Sequence, residues 1–161
     1  MIGVLFVCMG NICRSPTAEG VFVRRARAEG LDRRLRINSC ATHAYHIGRP
    51  PDARAIAAAA ARGIDLSGQR ARQIAPADFA AFDYLLAMDR DNLADLRARA
   101  PRGHEDKPRL LLDFAPEAPV REVPDPYYGG PDGFSRVLDL IEAASAGLMA
   151  DIHARLGDGS L

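Results

Sequence analysis

The N-terminal stretch constrains this chain more than any other. Ile2-Gly3-Val4-Leu5-Phe6-Val7-Cys8 is an unbroken apolar run rich in strand-forming residues. A strand of that kind is buried on both faces of a sheet. Met9-Gly10-Asn11 breaks the run, and Ser15-Pro16 then reads as a helix start. Ser15 would be the N-cap and Pro16 the first helical residue. Ala18, Val21, Phe22 and Ala26 follow at helical spacing, and Gly30 ends the pattern. Strand, tight loop and helix in this order open a parallel sheet whose crossovers are helices.

The remaining pattern continues the alternation. Leu35-Arg36-Ile37-Asn38-Ser39-Cys40 predicts a second strand, and Asp83-Tyr84-Leu85-Leu86-Ala87-Met88 a third. Leu110-Leu111-Leu112 predicts a fourth. Helices are expected over 53–61 after Pro51, over 75–82, over 89–100, and from about Pro131 to Leu156. The predicted fold is α/β: a single domain over 1–161, with a doubly wound four-stranded parallel sheet and helices on both faces. Ligands bind such sheets at the carboxyl ends of the strands, where strand order reverses. The long irregular segment 114–131 is of the length that is usually functional or disordered.

Composition excludes several classes. The 161 residues carry 21 basic and 21 acidic side chains, so no bulk field draws the chain to nucleic acid or to acidic membranes. Met1-Ile2-Gly3-Val4 does not read as the basic start of a secretory signal, and no apolar run reaches membrane-spanning length. A cytoplasmic location is the expectation, with secretion without a signal peptide left open. Cys8, Cys13 and Cys40 are too few for a disulfide framework, and no Cys/His pairs fall at zinc-ligand spacing. His43, His46, His104 and His153 read as surface residues.

The chemistry-bearing segment is Cys8-Met9-Gly10-Asn11-Ile12-Cys13-Arg14-Ser15, a C-x5-R-S sequence. C-x5-R alone is a weak signal, but this one follows a buried strand and opens a helix. Gly10 and Asn11 accept positive φ readily, so the loop can turn its amides inward. Inward amides beside a helix N-terminus form an anion nest. Arg14 supplies a planar fork for two phosphate oxygens. The same positive field favours a Cys8 thiolate under the bound phosphate. In-line attack by that thiolate would give a cysteinyl-phosphate. Ser15 would hydrogen-bond the sulfur. No G-x-x-x-x-G-K-[ST] or G-x-G-x-x-G sequence offers a competing phosphate loop.

A leaving oxygen needs a proton. Asp125, held between Pro124 and Pro126, is the candidate general acid, although Pro-Asp-Pro is also plain turn chemistry. Tyr127 and Tyr128 could flank an aromatic leaving group.

With these two motifs at opposite ends, the sequence resembles the low-molecular-weight protein tyrosine phosphatases over nearly its full length. Residues 8–15 with Pro16 and Glu19 are similar to that family's N-terminal signature, and Asp125-Pro126-Tyr127-Tyr128 to its C-terminal one. The resemblance implies Cys8 as nucleophile, Arg14 as phosphate clamp, and Asp125 as acid, then base. It implies Met9, Gly10, Asn11, Ile12, Cys13, Arg14 and Ser15 as the phosphate cradle. Asn11 would be held by Ser15 and by Ser39; Asp89 would orient Arg14 or cap the following helix. Tyr45, with Tyr127 and Tyr128, would wall the substrate slot. Cys13 is either a small buried residue or the partner of Cys8 in a protective disulfide. Two departures stand out: Gln69 where many members carry histidine, and Cys40 where a smaller residue is usual.

The resemblance implies a phosphotyrosine-containing protein as substrate, a tyrosine kinase or a host protein among them, and a monomeric enzyme. Neither step calls for a metal or other cofactor. The rate should peak on the acid side of neutrality, where Cys8 is ionised and Asp125 still protonated. Three rivals are weighed against it. An arsenate reductase would need cysteines beyond Cys40, and none follows. A protein-arginine phosphatase would carry threonine where Ile12 stands. A non-catalytic anion-binding module would not need Cys8 and Asp125 together.

Overall fold

A computed structural model of the chain describes residues 1–126, Gly130 and residues 132–157. Among these residues, Ile2–Cys8 (β1), Leu35–Ala41 (β2), Tyr84–Ala87 (β3) and Pro108–Leu110 (β4) form one parallel sheet in the order β2-β1-β3-β4. The helices are Arg14–Ala28 (α1), Ala53–Ala60 (α2), Asp78–Ala81 (α3), Arg90–Arg99 (α4) and Asp132–Gly157 (α5). The α/β class and the four-stranded parallel sheet are those the apolar pattern implies.

Alternation along β1 divides the core. Ile2, Val4 and Phe6 pack with Tyr84 and Leu86 of β3 under α1, α2 and α5. Leu5 and Val7 pack with Leu85 and Ala87 against Phe79, Phe82 and Leu96 on the α3–α4 side. Both faces are therefore covered, which is why the strand carries no polar alternation. Each fully buried large apolar side chain here contributes roughly 1.5–3 kcal/mol. Phe6 and Phe22 meet edge to face at 5.8 Å, so Phe22→Ala would cost about 3–5 kcal/mol.

Three boundaries differ from the expectation. Helix α1 begins at Arg14 with Cys13 as its cap, so Ser15 is not the N-cap and Pro16 lies deeper in the first turn. Any position of that turn tolerates proline, since its N–H groups have no helical acceptor. Strand β4 ends at Leu110, and Leu111–Phe114 is a 3₁₀ turn that buries Leu111 and Leu112. An apolar triplet fits either element. The helix expected over 75–82 shortens to α3, with Asp78 N–H bonding Ala75 C=O at its start.

The chain leaves β1 toward β2 on one side and returns to β3 on the other. The reversal lies between β1 and β3, and the loops that follow those strands share the carboxyl edge.

Candidate active site

Residues 8–15 close on themselves at that edge. Asn11 sits at φ 57, in the left-handed region that asparagine enters at low cost. That turn brings the Asn11 N–H onto Cys8 Sγ at 3.2 Å. Gly10 is not at positive φ; its missing side chain serves a close approach instead. A Cβ there would lie 3.0 Å from His46 Cδ2.

Asn11 is the hub of a hydrogen-bond chain. Its Nδ2 donates to Ser15 Oγ at 2.7 Å and to Ser39 Oγ at 3.0 Å. Its Oδ1 accepts from the Arg72 N–H at 3.1 Å. Ser15 Oγ, having accepted from Asn11, can turn its proton to Cys8 Sγ at 3.1 Å. Ser39 Oγ in turn donates to Glu19 Oε1 at 2.8 Å. Burial pushes the Glu19 carboxyl above its ordinary value, against the lowering by Ser39 and Arg72. Gln69 joins the same cluster, with Nε2 donating to Pro16 C=O at 2.9 Å and Oε1 lying 3.4 Å from Ser39 Oγ. Its amide thus reaches both α1 and the end of β2.

Arg14 is 4 % exposed. Its Nη1 donates to Asp89 Oδ2 at 2.6 Å and to Val123 C=O at 3.1 Å, and its Nη2 lies 3.8 Å from Asp125 Oδ2. Burial would push the guanidinium down, but Cys8 and Asp89 outweigh it and hold the value above ordinary. The charge therefore survives burial. Asp89 does two things at once: Oδ2 takes Arg14, and Oδ1 accepts from the Asn92 N–H at 2.7 Å to cap α4.

The other two cysteines differ from Cys8. Cys13 caps α1, and burial, with Asp52 and Cys8 adding, pushes its thiol up to about 12. Cys40 is fully buried against the α3–α4 face, and that burial drives its thiol well above the ordinary range. Both stay protonated thiols near neutral pH.

A cleft of about 330 Å³ opens above Cys8 and Arg14. Met9, Ile12, Tyr45 and His46 form its sides, and Asp125, with a side chain 33 % exposed, stands at its mouth. Tyr45 is 67 % exposed and stacks on His43 at 5.1 Å between ring centres. Tyr127 and Tyr128 lie outside the described residues. Among the described residues no group of three or more His, Cys, Asp or Glu side chains could hold a metal ion.

Cys8, Arg14 and Asp125 thus line one cleft, with the Asn11 N–H on the cysteine sulfur. The family model for low molecular weight phosphotyrosine protein phosphatase matches residues 3–157. The chain belongs to that family. The low molecular weight protein-tyrosine-phosphatase YfkJ of Bacillus subtilis is 40 % identical over 153 residues, 95 % of this chain and 97 % of that protein. The human low molecular weight phosphotyrosine protein phosphatase is 43 % identical over 136 residues, 83 % of this chain and 85 % of that one. A crystal structure of a protein tyrosine phosphatase from Entamoeba histolytica superposes with a TM-score of 0.91 at 38 % identity, covering all of both chains.

Several contacts of the phosphatase site escaped the sequence reading. His46, read as a surface histidine, packs on the loop at Gly10 and lines the cleft. The Arg72 amide on Asn11, and Val123 C=O on Arg14, are backbone groups that no residue type announces. Arg72 is itself fixed by a bidentate bond to Asp78, at 2.9 and 3.1 Å.

Proposed function

We propose that this protein tyrosine phosphatase works through Cys8 as nucleophile, Arg14 as phosphate clamp and Asp125 as general acid, then base. The Cys8 thiolate attacks phosphorus, forming an S–P bond as the P–O bond to the phenol breaks. Asp125 gives its proton to the departing phenolate oxygen. Water then attacks phosphorus, Asp125 takes a proton from it, and the S–P bond breaks to return the thiolate and inorganic phosphate. Ser15 O–H and Asn11 N–H stabilise the sulfur as it leaves. Arg14 and the loop amides hold the equatorial oxygens while charge shifts between the apical groups.

The observation that carries this reading is the convergence of Asn11 N–H and Ser15 Oγ on Cys8 Sγ, at 3.2 and 3.1 Å, in the cleft that Arg14 and Asp125 also line. The Asn11 N–H donates to the sulfur, and the Ser15 hydroxyl lies within hydrogen-bond distance to do the same as the S–P bond forms and breaks. Ile12, Met9 and Tyr45 suit the ring of phosphotyrosine better than a guanidinium, which favours phosphotyrosine in a protein chain. The substrates in view are a tyrosine kinase or a host protein, met by a monomeric enzyme of bacterial origin in the cytoplasm. No helix among the described residues is long and apolar enough to cross a membrane.

The test is hydrolysis of an aryl phosphate by wild type, Cys8→Ser and Asp125→Ala. Cys8→Ser should abolish turnover. Asp125→Ala should lower it by about 10²–10⁴-fold. Full activity in Cys8→Ser would end the mechanism. Trapping of a phosphotyrosyl protein on Cys8→Ser would name the substrate.

A further inference from the structure

Asp125 sits on backbone that no sheet or helix supports, yet two of its neighbours are tied down. We propose that Arg121 is a positioning residue for Asp125, acting as a clasp that closes the segment 112–121 and so fixes where the acid emerges. The proposal rests on the assignment of Asp125 as the general acid.

The geometry is specific. Arg121 Nη2 donates to Ala118 C=O at 2.7 Å, Ala115 C=O at 3.1 Å and Pro116 C=O at 3.4 Å, and Nη1 reaches Leu112 C=O at 3.5 Å. These carbonyls belong to the 3₁₀ turn and the irregular chain after it. Backbone bonds there are sparse: Ala115 N–H to Leu112 C=O, and Ala118 N–H to Ala115 C=O, both at 3.0 Å. One guanidinium, with five donors in a plane, gathers carbonyls that would otherwise turn to water.

The neighbouring residues pass this constraint on. Glu122 Oε2 accepts the Arg90 N–H at 2.8 Å at the start of α4, where the helix dipole favours a carboxylate. Val123 N–H bonds Met88 C=O at 2.8 Å, and Val123 C=O receives Arg14 at 3.1 Å. Residues 121, 122 and 123 thus hold the chain to three different elements in succession. Asp125 follows two residues later, 3.8 Å from Arg14. Releasing the first hold lets the segment 112–121 move and pull on the other two. Arg121 itself bonds no residue of the phosphate cradle, and the Val123 carbonyl on Arg14 is the link between them.

A positioning role for an acid has a signature that lost folding lacks. Proton donation matters most when the departing phenol is weakly acidic and least when it leaves readily as phenolate. The experiment measures kcat/KM for aryl phosphates graded by phenol acidity, from p-nitrophenyl to phenyl phosphate. It compares wild type, Arg121→Ala, Arg121→Lys, Asp125→Asn and the Arg121→Ala/Asp125→Asn pair, with inhibition by inorganic phosphate measured alongside. Arg121→Ala should lose about tenfold on phenyl phosphate and less than about twofold on p-nitrophenyl phosphate. Its affinity for inorganic phosphate should fall by less than about twofold, since Arg14 keeps its bond to Asp89 when the Val123 carbonyl shifts. Arg121→Lys, with one compact ammonium, should fall between. In the Asp125→Asn background, Arg121→Ala should add nothing to the slope. Equal losses on all substrates, as from a smaller folded fraction, overturn the proposal. If Arg121→Ala does not fold, the same tilt is required of Arg121→Lys, and an unchanged slope there overturns it. A tilt in Asp125→Asn without one in the Arg121 variants rejects the clasp alone. No tilt in Asp125→Asn rejects the acid assignment and the clasp with it.

Discussion

The segments 8–15 and 112–125 bring opposite strategies to one cleft. In the first, the bonds around the sulfur are short in sequence and buried, Asn11 N–H to Cys8 Sγ three residues back and Ser15 Oγ to the same sulfur, with Ser39 and Glu19 behind them. In the second, a carboxylate and the chain's own backbone reach distant elements. Glu122 bonds Arg90, and Val123 meets both Met88 and Arg14. The chemistry explains the contrast. A nucleophile and its anion nest work by dipoles fixed before substrate arrives, so their supports are buried. An acid must exchange its proton with solvent between turnovers, and the partly exposed Asp125 on its irregular loop suits the role proposed for it.

Arg14 touches both segments, and replacing it should have a larger effect than replacing any residue that only supports one of them. Arg14→Lys keeps the positive charge but not the fork. One ammonium cannot hold Asp89, the Val123 carbonyl and a phosphate together. We expect kcat/KM on an aryl phosphate to fall by about 10²–10³-fold. A loss under about tenfold would mean that charge alone couples the two loops.

Next comes the hub of the first segment. Asn11→Ala combines left-handed strain of roughly 1–2 kcal/mol with the loss of bonds to Ser15, Ser39 and Arg72. Asn11→Gly relieves the strain and still lacks the bonds. Chemical denaturation should show Asn11→Gly recovering part of the stability lost in Asn11→Ala, while both keep turnover about tenfold below wild type, each lost bond being worth about 1 kcal/mol. Equal turnover in Asn11→Gly and wild type would show that only the turn matters.

The two segments also differed in how far they could be read in advance. Residues 8–15 were legible because their chemistry is local: a buried strand, a break and a helix start place Cys8, Arg14 and Ser15 together whatever else the chain does. Even there, the roles of Gly10 and Pro16 were misassigned, because a close approach to His46 and a shifted helix start depend on residues elsewhere. Asp125 was legible only by its prolines and by the company of the first motif. Its fastening was not, since Arg121 and Glu122 act on carbonyls and amides that every residue carries alike. The sheet followed from apolar periodicity, whereas β4 slid by two residues because Leu110, Leu111 and Leu112 suit a strand and a 3₁₀ turn equally.

The smallest effect expected separates the buried segment from the exposed one by pH. Burial raises the Glu19 carboxyl above its ordinary 4.5, so the folded chain holds that proton more tightly than the unfolded chain does. Folding therefore gains from the neutral form at low pH and loses that gain as pH rises from about 4.5 through the folded-state value. Glu19→Gln keeps an oxygen to accept the Ser39 hydroxyl and cannot ionise. Its thermal midpoint relative to wild type should rise as pH moves from below 4.5 toward neutrality. The same comparison for Arg121→Ala should show no such trend, since no carboxyl is exchanged there. If Glu19→Gln instead loses ground toward neutrality, the ionised carboxylate, drawn to Arg72, supports the loop more than its burial costs, and the first segment relies on charge as the second does.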